Sequence, residues 1–391
     1  METTPTYFRD LKLSPKLLTV IEKAGFEHPT PIQEQGIPLA LMPSDLIGCA
    51  QTGTGKTLAF CLPLLEKLQG KKGTHALILC PTREIALQTQ KVLEQFGPAM
   101  GLSSTVLIGG RRILTQANAL KKNPSIIVAT PGRLMDHMER RNVNLKNIHA
   151  VVLDEADHML DLGFLPQVRR ILKALPKERQ TLMFSATFPR EIEQLAQQFL
   201  KDPNRVDIAP PGTAAEGIDH HLYLMDPQYK REAILKLLQG TDKTTLVFTR
   251  TKLDAEWLFR LLKKEGHDVH ALHSDRTQGQ RVRTLEQFKR AEFPILVATD
   301  IMARGIDVSG IAHVINYDIP QNPEDYIHRA GRTARGQATG HASTLATTLE
   351  FNFIQAIEKQ LGEPIPRRQL PGIPEITETI PKKRRKRVRL R

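Results

Sequence analysis

The sequence predicts an α/β fold of two tandem parallel-sheet domains, and three observations carry that prediction. The chain has 391 residues at 40% hydrophobic composition, more than one core ordinarily organises. Short apolar runs alternate with longer amphipathic stretches, as in strand–helix–strand units whose sheets are covered on both faces. The alternation stops at a run of small and chain-breaking residues and then starts again. In the first half the strand-like runs are Leu46 to Cys49, Ala76 to Cys80, Ser125 to Ala129, Ala150 to Leu153 and Thr181 to Phe184, with a helical stretch from Leu58 to Leu68 after the first. Ala209-Pro210-Pro211-Gly212-Thr213-Ala214-Ala215-Glu216-Gly217 is the break, a flexible linker over 209–217 that leaves 1–208 as the first domain. Thr245 to Phe248, Ile295 to Ala298 and His313 to Asn316 supply a second sheet within 218–365, with a helical stretch from Asp254 to Lys264.

Residues 366–391 read as a basic C-terminal tail. Formal net charge is +13, and from Arg367 onward ten Lys and Arg stand against two Glu, so the tail carries +8 of it. The run from Pro381 to Arg391 repels itself too strongly to pack and reads as a disordered arm that neutralises phosphates. A solubilising end and a nuclear import signal are the competing readings. Cys49, Cys61 and Cys80 lack Cys-x-x-Cys spacing and sit in or beside apolar runs, which predicts reduced core thiols in an intracellular protein, with neither disulfide nor zinc. The N-terminus shows no basic-then-apolar leader, and no run approaches the roughly 18 apolar residues of a membrane span. A soluble protein is expected.

Two segments carry chemistry. Ala50-Gln51-Thr52-Gly53-Thr54-Gly55-Lys56-Thr57 lies between a strand-like run and a helical one. Its glycines let backbone N–H groups approach phosphates, Lys56 supplies a point charge to the β- and γ-phosphates, and Thr57 offers a hydroxyl to magnesium at the positive end of a helix. Ala50 stands where the strict phosphate-loop pattern has its first glycine. Asp154-Glu155-Ala156-Asp157 follows the apolar run Ala150 to Leu153, so a buried strand delivers carboxylates to the carboxyl edge of a sheet, where open α/β sheets hold ligands. Asp154 then orients magnesium, and Glu155 positions and deprotonates the attacking water. Together they describe a site for a nucleoside triphosphate and its magnesium.

The order of the motifs resembles the DEAD-box ATP-dependent RNA helicases. Gly25-Phe26-Glu27-His28-Pro29-Thr30-Pro31-Ile32-Gln33, the phosphate loop, Pro81-Thr82-Arg83-Glu84, Thr130-Pro131-Gly132-Arg133, Asp154 to Asp157 and Ser185-Ala186-Thr187 match the first half of that family's pattern. Gln278-Gly279-Gln280-Arg281, Ala298-Thr299-Asp300 through Arg304-Gly305-Ile306-Asp307, and His328 through Gly336 match the second. Ile85, Ala330 and Ala334 depart mildly from it without removing a charged or hydroxyl group. The short flanks resemble compact bacterial members. By this resemblance both domains are RecA-like, Gln33 reads the adenine edge assisted by Thr30, Phe8 stacks on the ring, and Asp307 accepts from the ribose. Arg332 and Arg335 reach the γ-phosphate as arginine fingers, and His328 joins Asp157, Ser185 and Thr187 in contacts that couple nucleotide state to domain closure. From the residues alone, Phe8 also reads as a core aromatic beside Leu11 and Leu13. The three-residue spacing of Arg329, Arg332 and Arg335 places them on one helical face, with helix capping as the other reading.

The resemblance places RNA against Pro81, Thr82, Arg83, Gly110, Thr130, Gly132 and Arg133 in the first domain and Arg281, Thr299 and Arg304 in the second. Such groups suit phosphates and 2′-hydroxyls rather than base edges. Aromatic residues are 5% of the chain, too few for a base-stacking platform. The expectation is a cytoplasmic, monomeric, ATP- and Mg²⁺-dependent RNA helicase with little sequence preference, acting on RNA and on ribonucleoprotein or RNA-decay partners. An ATP-gated RNA clamp and a DNA-directed helicase are the alternatives.

Overall fold

The computed structural model describes residues 6–50, 53–208, 217–240, 243–300, 311–333, 340–374 and 376. The chain divides into two compact units, the first reaching residue 208 among the described residues and the second beginning at Gly217. No described helix is long and apolar enough to cross a membrane.

The first unit is built on seven strands: β1 (Leu46–Cys49), β2 (Ala76–Leu79), β3 (Ser104–Leu107), β4 (Ile126–Ala129), β5 (Ala150–Leu153), β6 (Gln180–Ser185) and β7 (Asn204–Asp207). They pair in parallel in the order β3-β4-β2-β5-β6-β1-β7. Every residue of β2, β4, β5 and β6 is buried, because alternate side chains enter different cores. Ile78, Val128 and Val152 join Leu17, Phe60 and Phe184 on one side, while Leu77, Ile127 and Val151 join Leu134, Val168 and Ile192 on the other.

That strand order sorts the carboxyl edge. β5, β6 and β1 are neighbours and lead into Asp154 to Asp157, Ser185 to Thr187 and the phosphate loop; β3, β4 and β2 are neighbours and lead into Gly110, Thr130 and Pro81 to Arg83. Segments far apart in sequence thus form two adjoining groups along one sheet edge.

The second unit has β8 (Ile218–Leu224), β9 (Thr245–Thr249), β10 (Val269–Leu272), β11 (Ile295–Thr299), β12 (His313–Asn316) and β13 (Gly340–Ala346), in the parallel order β10-β11-β9-β12-β13-β8. Two boundaries differ from the sequence expectation. Gly217 belongs to this unit, since its carbonyl accepts from Gly340 N at 2.8 Å; the rest of the expected linker, 209–216, lies outside the described residues. The tail does not begin at residue 366. Leu222 N donates to Pro366 O and Arg368 N to Leu222 O, each at 2.9 Å, and Ile365 and Ile373 are buried. This strap pairs with the edge strand β8, whose backbone groups would otherwise be exposed to foreign strands. The basic run 381–391 lies outside the described residues.

Candidate active site

The phosphate loop grows out of β1. Ala50 N donates to Ser185 O at 3.0 Å, which continues the β1–β6 ladder by one residue. Gly53 and Thr54 occupy the turn that follows, while Gln51 and Thr52 lie outside the described residues. Gly55 precedes the helix Lys56–Leu68 with φ +92°, and a Cβ there would lie 2.3 Å from Gln33 Nε2, so glycine is required both for the conformation and for the close approach. Lys56 is only 5% exposed and its ammonium donates to Ala50 O at 2.7 Å. Thr57 sits in the first turn of the same helix.

Gln33 ties this loop to the segment before it. Thr30 N donates to Gln33 Oε1 at 2.9 Å, fixing the start of the helix Pro31–Leu41, and Gln33 Nε2 donates to Gly55 O at 3.0 Å. The side chain meant to read adenine is therefore bonded to the loop meant to hold phosphate. Phe8 is buried in the core with Leu11, Leu13 and Leu17, and it also lines a cavity of about 400 Å³ with Tyr7, Gly25 and Phe26.

The acidic segment is buried: Asp154, Glu155 and Asp157 are 3%, 8% and 9% exposed. Burial pushes the Asp154 carboxyl up to about 7, the neighbouring Glu155 adds to the shift, and Lys56 opposes it. Glu155 has φ +51° and ψ +60°, a left-handed backbone that costs a non-glycine residue about 1–2 kcal/mol. Its carboxylate lies 3.2 Å from His158 Nδ1. Asp157 Oδ2 accepts from Ala186 N at 3.2 Å, Thr187 N at 2.9 Å and Thr187 Oγ1 at 3.1 Å, while Asp157 N donates to Ser185 Oγ at 3.0 Å. The structure thus brings Asp157, Ser185 and Thr187 together within one unit. The described residues assemble no cluster of three or more ligating side chains; magnesium that arrives with a nucleotide needs only one or two carboxylates, and Asp154 with the Thr57 hydroxyl would supply hard oxygen donors for it.

On the other half of the edge, Thr82 Oγ1 accepts from Ile85 N at 3.3 Å and caps the helix Arg83–Phe96, with Pro81 buried before it. Thr130 N donates to Leu107 O at 3.0 Å and opens the helix Pro131–Glu139, which carries Gly132 and Arg133 in its first turn. Arg133 Nη1 donates to Arg111 O at 2.9 Å, and a Cβ on Gly109 would lie 2.8 Å from Arg83 Nη2. Gly110 is exposed with φ +78°. All seven residues expected to meet RNA in this unit therefore lie on the loops and first helical turns that follow the neighbouring strands β2, β4 and β3.

Two residues escaped the sequence reading. His158 sits one helical turn after Glu155 and meets its carboxylate, a contact the spacing could have indicated. Gln116 is a buried amide on the inner face of the helix Ile113–Leu120; its Oε1 accepts from Ile108 N at 2.9 Å and its Nε2 donates to Ile108 O at 3.2 Å. A polar residue at an inward position of an amphipathic helix was its signal.

In the second unit Arg281 is buried on the helix Gln278–Lys289, and Thr299 ends β11. The arginine spacing requires a correction. The helix Pro323–Ala330 stops before Arg332, so Arg329 and Arg332 do not share one helical face. Arg329 is committed to structure: Nε and Nη2 fork onto Asp300 at 2.5 and 2.7 Å, and Nη1 donates to Asn316 Oδ1 at 3.1 Å and Asp318 O at 2.7 Å. Arg332 Nε donates to His328 O at 3.2 Å, a helix-capping contact, and His328 lies in the helix's last turn. Arg304, Asp307 and Arg335 lie outside the described residues.

The DEAD/DEAH box helicase family matches residues 30–195, and the helicase conserved C-terminal domain family matches residues 229–337. The DEAD-box ATP-dependent RNA helicase CshA of Bacillus subtilis is 41% identical over 95% of this chain and 76% of its own length. Saccharomyces cerevisiae Dbp5 bound to RNA and ADP BeF3 superposes with a TM-score of 0.81 at 33% identity, covering 93% of this chain and 95% of that one. Mss116p bound to ssRNA and AMP-PNP gives 0.85 at 27% identity, covering 97% and 81%. With both halves of the motif set matched and both sheets in place, the chain belongs to the DEAD-box family of ATP-dependent RNA helicases.

Proposed function

We propose that this helicase hydrolyses ATP at the β5-β6-β1 edge of its first unit and grips RNA by its backbone along the adjoining β3-β4-β2 edge. The observation that carries this reading is the burial of Asp154 and Glu155 at the end of β5, in a sheet whose next strands deliver Ser185 and the Lys56 loop. Lys56 exchanges its Ala50 carbonyl for the β- and γ-phosphates, and Gln33 passes adenine recognition to the loop through Gly55. The cavity beside Phe8 offers the ring a face for adenine. Magnesium, when bound with the nucleotide, neutralises phosphate charge; Asp154 and Thr57 would hold it. Glu155 takes the proton from the attacking water, and His158 keeps its carboxylate in place.

Arg332 and Arg335, with Asp307 for the ribose and His328 for coupling to nucleotide state, are the second unit's contribution, supported by the motif resemblance. Closure then makes RNA and ATP binding mutually favourable, and the bent strand sheds its partner. Arg281, Thr299 and Arg304 complete the RNA path. The bacterial relatives support a cytoplasmic setting, and RNA or ribonucleoprotein is the target. Glu155→Gln is expected to retain ATP and RNA binding while RNA-stimulated turnover drops on the order of 10²–10⁴-fold. Unchanged turnover would remove Glu155 from the chemistry.

A further inference from the structure

We infer that Arg111 and Arg112 form an additional phosphate clamp at the outer end of the RNA path. The inference rests on the RNA path proposed above and extends it by residues that path does not include. Both arginines follow the Gly109-Gly110 turn after β3, the outermost strand of the first sheet, and both are exposed. Neither guanidinium has a hydrogen bond or ion pair among the described residues.

What distinguishes this pair from ordinary surface charge is the rigidity of the backbone beneath it. The buried Gln116 amide takes both backbone groups of Ile108, and its Nε2 also donates to Arg111 O at 3.4 Å. From the opposite side Arg133 Nη1 donates to the same Arg111 carbonyl at 2.9 Å. A loop carrying exposed cations is thus fixed by a core amide and by a residue of the neighbouring RNA-directed loop. Ordering entropy that a mobile basic segment loses on binding is already lost here. Arg133 shares its charge with Asp136, Nε to Oδ2 at 3.3 Å, whereas Arg111 and Arg112 meet no acid among the described residues. The expected ligand is the phosphodiester of the same single strand, one step beyond the segment held by the loops after β2 and β4. Two planar forks suit phosphate oxygens and carry no sequence information.

The test compares the full-length chain with three double variants in binding a labelled single-stranded oligouridylate, with magnesium and a non-hydrolysable ATP analogue, across about 50–200 mM salt. Arg111→Ala/Arg112→Ala is expected to bind about tenfold more weakly at the low-salt end, and to lower the log–log salt slope by about 1.4, two phosphates at roughly 0.7 each. Arg111→Lys/Arg112→Lys should recover the slope, because counterion release follows charge. Lys121→Ala/Lys122→Ala removes the same charge from the far end of the same short helix and should leave the slope intact. An unchanged slope in the alanine pair, or an equal fall in the Lys121→Ala/Lys122→Ala control, overturns the clamp. A wild-type chain that fails to bind RNA in an ATP-dependent way overturns the proposed function instead.

Discussion

The two units bury charge in opposite ways. At the edge of the first sheet, Asp154, Glu155 and Asp157 are crowded together, and burial with like charge raises the Asp154 carboxyl. In the second unit Arg329 is as deeply buried, yet its guanidinium is met by Asp300, Asn316 and the Asp318 carbonyl. One arrangement is uncomfortable without a cation, and the other is complete in itself. Burial of an ionisable group therefore points to a reaction site only where the fold leaves its charge uncompensated.

The largest expected effect breaks the completed arrangement. Arg329→Ala leaves Asp300, the buried Asn316 amide oxygen and the Asp318 carbonyl without their donor and should destabilise the second unit by about 3–5 kcal/mol, read by hydrogen exchange resolved between the units. Lysine should not restore it, since one ammonium cannot reproduce the fork. If the first unit loses protection equally, the separation of roles drawn here is wrong.

Next in size is the strap. Ending the chain at residue 365 strips the edge of β8 and the buried Ile373, which should cost the second unit about 2–4 kcal/mol from one isoleucine side chain and two backbone hydrogen bonds. Ending it at 376 keeps those contacts and should leave its stability within about 0.5 kcal/mol of the full chain. Equal stability of the two truncations would make the strap an ornament of the fold.

The smallest effect is a divergence with pH in metal-free buffer. Asp154 is raised from 3.8 to about 7, so its contribution is fully present below 3.8 and is lost as pH rises through 7. His313, which meets Ser343 Oγ at 2.8 Å, is lowered from 6.5 to about 4 by burial and by the nearby His341 and His221; its contribution is present above 6.5 and is lost as pH falls through 4. Between about pH 6.5 and 4 the first unit should gain protection while the second loses it. His313→Gln should flatten the second response. Parallel responses would show that other groups dominate.

The sequence exposed the elements whose burial is complete. β2, β4, β5, β6, β9 and β11 are buried along their whole length, and each is expected from the sequence to within one residue at either end, as are β1 and β12. The sequence does not mark β3, β7, β8, β10 and β13. Ile218–Leu224 and Gly340–Ala346 interleave histidine, serine, threonine and aspartate with their apolar residues, and Asn204–Asp207 is an edge strand with one buried side chain, so tertiary pairing decides them. Motif residues of the first unit were legible because they sit at strand ends, where an apolar run marks the turn that follows. The arginine spacing misled because Gly331 ends the helix, a stop that three-residue counting ignores. Gln116 and the strap were invisible for a related reason: each acts through backbone groups of a distant segment.

The central claim is that carboxylates of the first unit cannot turn over ATP without what the second unit supplies. The direct measurement is RNA-stimulated ATP hydrolysis by residues 1–208, which carry their own sheet and cores, beside the intact chain at saturating ATP, magnesium and RNA. The account predicts turnover by the fragment at least about 10³-fold slower, the scale set by removing an arginine finger. Hydrolysis by the fragment at the rate of the whole chain would contradict it.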